Sequence, residues 1–281
     1  MYSGRTQMNK RSLRLIWSIV ICYAFSFCPN NAFADVNLPW STTYNCNDWT
    51  QSMGLFNVNC DGLTGYGGWT TVNGAEEQIT AAANNPAGGG GKGQRHWAGD
   101  GPTNNSGGLR IVFLTHQPEL WVRWYMRYEL GFQWNPLIAD KWLYFDSGQP
   151  QAVVPEWYGS DKLNIWSNTS GNHAGATDGW TTTMGGPTSD GKWRLYEVHL
   201  KMDTDGTNGI GEIWIDGVKK LSYTNINYGT QAGWLFFALG SNKGVTNNGR
   251  DMYIDYDDVS VSATGYIGPL PTSAPKNLQV K

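Results

Sequence analysis

Glu119-Leu-Trp-Val-Arg-Trp-Tyr-Met-Arg-Tyr-Glu-Leu130 alternates two sets of side chains. One set is Trp121, Arg123, Tyr125, Arg127 and Glu129; the other is Val122, Trp124, Met126, Tyr128 and Leu130. Successive side chains of an extended chain point to opposite faces. The stretch therefore predicts one long β-strand with a core face and a face of rings and guanidiniums. Such a row suits a flat, polar partner, because guanidinium binds carboxylate in a bidentate way and aromatic rings stack on sugar faces. Sugars, and acidic sugars above all, fit that description.

The same reading extends along the chain. Runs with strand character cover Leu109–Leu114, Leu120–Leu130, Lys141–Asp146, Lys162–Trp166, Trp193–Met202, Gly211–Ile215, Val218–Thr224, Gly233–Leu239 and Met252–Val261. Turn residues separate them. Asp216-Gly217 between two runs is a hairpin signal, since both residues tolerate the positive φ of a type I′ turn. No helix with 3.6-residue periodicity and caps follows residue 34, although Gly74–Asn84 has room for a turn or two. The fold class expected is all-β: an antiparallel β-sandwich or jelly roll.

Residues 1–34 read as a signal peptide. Lys10, Arg11 and Arg14 precede the apolar run Leu15–Phe27, and Ala32-Phe33-Ala34 supplies small residues two apart. The run is too short for a stop-transfer helix, and bulky Phe27 before Cys28 argues against lipidation. The expected protein is secreted, periplasmic or extracellular, with no membrane anchor after cleavage. Residues 35–268 form the expected jelly-roll domain, and 269–281 a proline-rich tail or linker remnant.

Four of the 20 basic residues lie in the leader and none of the 23 acidic ones, so residues 35–281 carry 16 against 23, a formal charge of −7. That balance argues against a nucleic-acid partner. Cys22 and Cys28 leave with the leader, and Cys46 and Cys60 remain. An even count in an exported chain predicts one disulfide, Cys46–Cys60.

Several motifs carry candidate chemistry. Gly88-Gly-Gly-Gly-Lys92-Gly93 lacks the hydroxyl residue, strand and helix of a phosphate loop. It reads as a surface loop, or as one that brings Lys92, Arg95, His96 and Trp97 to a ligand. Asp203–Glu212 departs from EF-hand spacing and reads as a hairpin turn. Tyr253, Asp255 and Asp257 alternate with Asp258 beside them, a grouping that suits ion-paired acids and leaves room for a structural calcium ion. No cofactor is otherwise expected, and no two of His96, His116, His173 and His199 have metal-ligand spacing. Arg110, Arg123, Arg127 and Lys141 lie on consecutive predicted strands, so they converge if those strands are neighbours; the alternative is ion pairing across the sheet.

Trp121–Leu130, Lys141–Phe145, Trp193–His199, Gly211–Gly217 and Met252–Ser260, in that order, resemble the concanavalin A-like jelly roll of laminin-G-like lectin domains and several polysaccharide lyases. The resemblance implies a polysaccharide partner on a concave sheet. It also implies an arginine, histidine or glutamine that neutralises a uronate carboxylate and a tyrosine or histidine that exchanges protons. Arg110, Arg123 or Arg127 would do the first, and Tyr144, Tyr125 or His199 the second. The expected function is carbohydrate recognition on an aromatic and arginine-rich face. Arg123, Tyr125 and Arg127 line that face, with Arg110 and Lys141 beside them. Arg95, His96, Trp97, Trp157 and Tyr158 form its rim, and His173 sits in a covering loop. The alternatives are a lyase using Arg127, Tyr144 and His199, and a surface-adhesion module.

Overall fold

The computed structural model describes residues 37–44, 49–50, 77–88, 91–98, 109–132, 139–148, 152–158, 162–176, 190–239 and 252–269. Cys46 and Cys60, the leader and the end of the tail lie outside the described residues. So do the side chains of Trp97 and Arg110.

The strands in chain order are β1 (Trp40–Thr42), β2 (Trp49–Thr50), β3 (Glu77–Thr80), β4 (Gly93–Ala98), β5 (Leu109–Gln117), β6 (Glu119–Tyr128), β7 (Asp140–Lys141) and β8 (Leu143–Asp146). There follow β9 (Ala152–Tyr158), β10 (Lys162–Ser167), β11 (Gly171–Ala176), β12 (Arg194–Lys201), β13 (Gly209–Ile215), β14 (Val218–Ile226), β15 (Trp234–Leu239) and β16 (Met252–Ser262). The one helical element described is a 3-10 turn, Ala81–Ala83, capped by the Thr80 hydroxyl.

Two antiparallel sheets result. One runs β14-β13-β12-β6-β16-β4-β3-β2, with β1 on β16; the other runs β11-β10-β9-β8-β15-β5, with β7 on β9. The amphipathic strand β6 lies centrally in the first sheet, between β12 and β16. Its even positions Leu120, Val122, Trp124, Met126 and Tyr128 are all buried in the core. Trp124 stacks on Tyr196 of β12 at 5.7 Å, and Tyr196 meets Trp142 edge-on at 5.1 Å. Trp142 in turn meets Trp157 of β9 at 5.4 Å. These rings join the two sheets face to face.

Turn chemistry sets the registers. Asp216 and Gly217 adopt φ of 50° and 77°, the paired positive values of the predicted tight hairpin. Asp216 also accepts the Leu195 amide through Oδ1 at 2.9 Å, tying the hairpin to β12. Gly211 is small for a packing reason: a Cβ there would stand 2.7 Å from Ile165 Cδ1 on the opposite sheet. The region 93–98, expected as a loop, is strand β4, and 171–176 is edge strand β11.

Candidate functional site

The outer face of the seven-stranded sheet gathers polar side chains through a β-bulge. Lys141 pairs with Glu156, and Phe145 pairs with Val153. Between them the β7–β8 side uses one residue more than β9. That extra residue lets Trp142 and Leu143, adjacent in sequence, both enter the core at 0% exposure. Lys141 and Tyr144 then emerge on the same face, and Lys141 Nζ donates to Tyr144 Oη at 3.0 Å. Pro155 fits the same irregularity. It lacks an amide hydrogen at the point where the bulged partner offers only the Trp142 N–H, which its carbonyl accepts at 3.0 Å.

Glu156 stands across from Lys141 on β9 and is only 3% exposed. Its Oε1 accepts Asn164 Nδ2 of β10 at 2.7 Å, and the same Nδ2 donates to Asn172 Oδ1 of β11 at 2.8 Å. Burial pushes the Glu156 carboxyl up to about 7, against the opposing pull of the Asn164 hydrogen bond and the Lys141 charge. Behind the face, Tyr128 Oη donates to buried Asp140, and Trp142 Nε1 donates to Tyr128 Oη at 3.2 Å. This network anchors Asp140 and so fixes the position of neighbouring Lys141. Burial holds the Tyr128 phenol well above its ordinary range. Trp166 is half-buried and Tyr158 is 42% exposed; pleat register puts both on the Glu156 face. The geometry offers a cation, a phenol, a carboxyl that holds its proton near neutrality, amides and rings along β7 to β11.

The predicted arginine face lies elsewhere, on the outer side of the nine-stranded sheet, and its cations are engaged. Asp255 of β16 accepts Arg95 Nε at 2.7 Å and Arg127 Nε at 3.1 Å, and Arg95 and Arg127 both donate to the Ala82 carbonyl. Burial opposes the Arg95 charge, but the Asp255 pair outweighs it and raises Arg95 above its ordinary value. Arg95 also lies 3.5 Å over the Tyr253 ring and Arg127 4.9 Å over Trp193. Arg123 is 5% exposed and donates to the carbonyls of Asp258 and Gly268 and to Ser260 Oγ. Burial lowers its pKa. The chain after β16 turns back over this face, where Glu197 accepts the amides of Ile267 and Gly268. His199 is held between Glu212 at 2.8 Å and Glu119 at 2.9 Å and stacks on Trp121 at 4.2 Å.

The predicted residues thus separate. Arg95, Arg123, Tyr125, Arg127 and His199 belong to the nine-stranded sheet, and so does the Trp97 position. Lys141, Tyr144, Tyr158 and the Arg110 position belong to the seven-stranded sheet. Arg110 pairs with Ala238, which pairs with Tyr144. Arg127 and His199 therefore do not share a site with Tyr144, because the whole core lies between the two outer faces. Trp157 and His96, expected at a rim, are fully buried. Trp157 occupies an inward position of β9, while Val154, Glu156 and Tyr158 point out. His173 is on β11, with Nδ1 3.2 Å from the Ile165 carbonyl and its ring edge-on to Tyr223.

Glu156, Asn164, Asn172 and Trp166 were missed. Pro155 hid β9, since a proline argues against a central strand. The period-two set Val154, Glu156 and Tyr158 was the available signal. Among the described residues no group of three or more His, Cys, Asp or Glu is arranged to hold a metal ion. The late acids are otherwise engaged: Asp257 and Asp258 accept the backbone and side-chain amides of Asn85. No described helix is long and apolar enough to cross a membrane.

The fold is an antiparallel two-sheet jelly-roll sandwich, and solved structures of polysaccharide lyases are similar to it. A double alanine mutant of alginate lyase Aly36B, in complex with alginate trisaccharide, is similar at 18% identity over 79% of this chain and 96% of that one, with a TM-score of 0.53. Alginate lyase vAL-1 from a Chlorella virus matches at 10% identity over 70% of this chain and 92% of its own, with a TM-score of 0.52. Endo-β-1,4-glucuronan lyase from the fungus Trichoderma reesei matches at 14% identity over 69% and 90%, with a TM-score of 0.50. No family model matches the chain, and no curated protein matches it.

Proposed function

We propose that this protein is an exported polysaccharide lyase that cleaves a uronate-containing polymer by β-elimination on the outer face of its seven-stranded sheet. The observation that carries the reading is the Lys141 Nζ–Tyr144 Oη contact of 3.0 Å, placed by the bulge across from buried Glu156. In the reaction Tyr144, acting as a phenolate held by the Lys141 ammonium, takes the C5 proton and becomes the phenol. The C5–H electron pair becomes the C4=C5 double bond, the C4–O bond breaks, and the Lys141–Tyr144 pair delivers a proton to the departing oxygen. Lys141 and the Glu156–Asn164 pair neutralise the uronate carboxylate, which acidifies C5. The fold shared with alginate and glucuronan lyases supports the substrate class, and the leader-like residues 1–34 support export.

The test is incubation of residues 35–281 with alginate, glucuronan and neutral glucans while absorbance of unsaturated products is followed. A rise on a uronate polymer is expected, with Tyr144→Phe and Lys141→Ala each lowering kcat by about 10² or more while oligouronate binding persists. A second reading, binding without turnover, is favoured by exposed Tyr158 and half-buried Trp166 as stacking surfaces. A flat trace with gel retardation on one polymer would select it and sink the lyase.

A further inference from the structure

We propose that Glu156 recognises the uronate carboxylate in its acid form, so that binding a uronate draws a proton onto the Glu156–uronate pair; this deepens the uronate reading and rests on it.

Three features of the geometry lead there. First, Glu156 is 3% exposed and Oε1 is engaged by Asn164, whereas Oε2 has no hydrogen-bond partner among the described residues. One carboxyl oxygen is thus left for a ligand. Second, Asn164 is fully buried, and its Nδ2 serves both Glu156 and Asn172 while its Oδ1 is buried without a partner. Turning that amide over offers Oδ1 to a protonated Glu156, so Asn164 serves either charge state. Third, compensating charge around the carboxyl is sparse. The groups facing it are Lys141 and Asp140 of β7, Tyr144 of β8, Tyr158 of its own strand, exposed Lys162 and Asn164 of β10, and Asn172 of β11. Lys141 is the one cation in register with Glu156, so with a uronate bound a single ammonium faces two carboxylates.

A uronate entering this face brings a second carboxylate against Glu156. Two carboxylates at one site do not both ionise, and the pair keeps one proton. Burial already holds free Glu156 near pH 7, so part of that proton is present before binding and the remainder is taken up with the ligand. A neutral sugar imposes no such uptake. By linkage, uronate affinity falls as pH rises above 7, approaching about tenfold per pH unit.

The experiment is calorimetric titration of the Tyr144→Phe protein with alginate tetrasaccharide and with glucuronan tetrasaccharide, in two buffers of different ionisation enthalpy. An uptake of roughly half a proton per uronate site at pH 7, rising toward one at pH 8, is expected from a group titrating near 7. Cellotetraose should give none. In Glu156→Gln the uptake should vanish and oligouronate affinity become flat from pH 6 to pH 8. Should that variant fail to fold, buffer dependence in Tyr144→Phe alone decides. Oligouronate binding with no proton uptake would overturn the assignment and leave the uronate groove standing, as would equal uptake with cellotetraose. Absence of binding by either uronate would overturn the groove and this assignment together.

Discussion

Asp255 shows what a single residue does for the nine-stranded sheet. It is fully buried and receives guanidiniums from both flanking strands, Arg95 of β4 and Arg127 of β6. Removing one partner of a buried pair costs more than the pair contributes, because the other charge is left behind. Asp255→Ala strands two cations that are 11% and 23% exposed, so a loss of about 3–5 kcal/mol in urea unfolding is expected. A loss below about 1 kcal/mol would show that water reaches the guanidiniums well enough to replace the carboxylate. The residue lies on the face opposite Tyr144, so kcat per folded molecule should stay within about twofold of wild type on any polymer that is turned over, since distant sites act independently. The alternation of Arg123, Tyr125 and Arg127 makes one strand face legible in the sequence. What the sequence could not convey was the partner, since Asp255 is 128 residues from Arg127 and pairs with it only through the β6–β16 register.

At the scale of elements, local chemistry was legible where it is self-contained. The β13–β14 hairpin is the clearest case: Asp216-Gly217 adopts the positive φ pair its residue types favour. Gly217→Ala places a Cβ at φ 77° and should destabilise by about 1 kcal/mol, with a fall in Tm of roughly 2–4 °C for a domain of this size. No shift in Tm would mean the turn relaxes to another type. The β7–β8 bulge was illegible for a physical reason. Strict alternation sends Lys141 and Tyr144, three apart, to opposite faces. Only the insertion of both Trp142 and Leu143 into the core brings them together. Strand β9 was hidden by Pro155, whose missing donor is tolerated because it faces that bulge. Two local exceptions that excuse one another look like two arguments against a strand when each is read alone.

For the whole molecule, the sandwich was legible because many amphipathic strands agree on it. The face proposed to take the polymer was not, because both outer faces carry rings and charges, and burial alone tells which are spent on structure. The same buried charges set how stability varies with pH. Burial raises the carboxyls of Glu156 to about 7 and Asp257 to about 8, and it raises Glu197 and Asp258 as well. In the unfolded chain such groups ionise near pH 4. Between about pH 4.5 and pH 8 the folded protein therefore holds more protons than the unfolded one, and stability falls as pH rises through that window. Asp190, Asp203 and Glu212 work in the opposite sense. Burial opposes their ionisation, but hydrogen bonds from Arg194, from Thr230 and from Lys219 respectively outweigh it and lower them. Their contribution is present above pH 4 and is lost as pH drops through their folded values. The two sets place maximal stability near pH 4.5, and urea midpoints should be higher at pH 5 than at pH 8.5. Asp257→Asn removes the carboxyl that burial raises to about 8 and should narrow that gap. A midpoint at pH 8.5 equal to or above that at pH 5 would mean that these buried carboxylates are compensated in the folded protein, and the window would then reduce to the acid limb set by Asp190, Asp203 and Glu212.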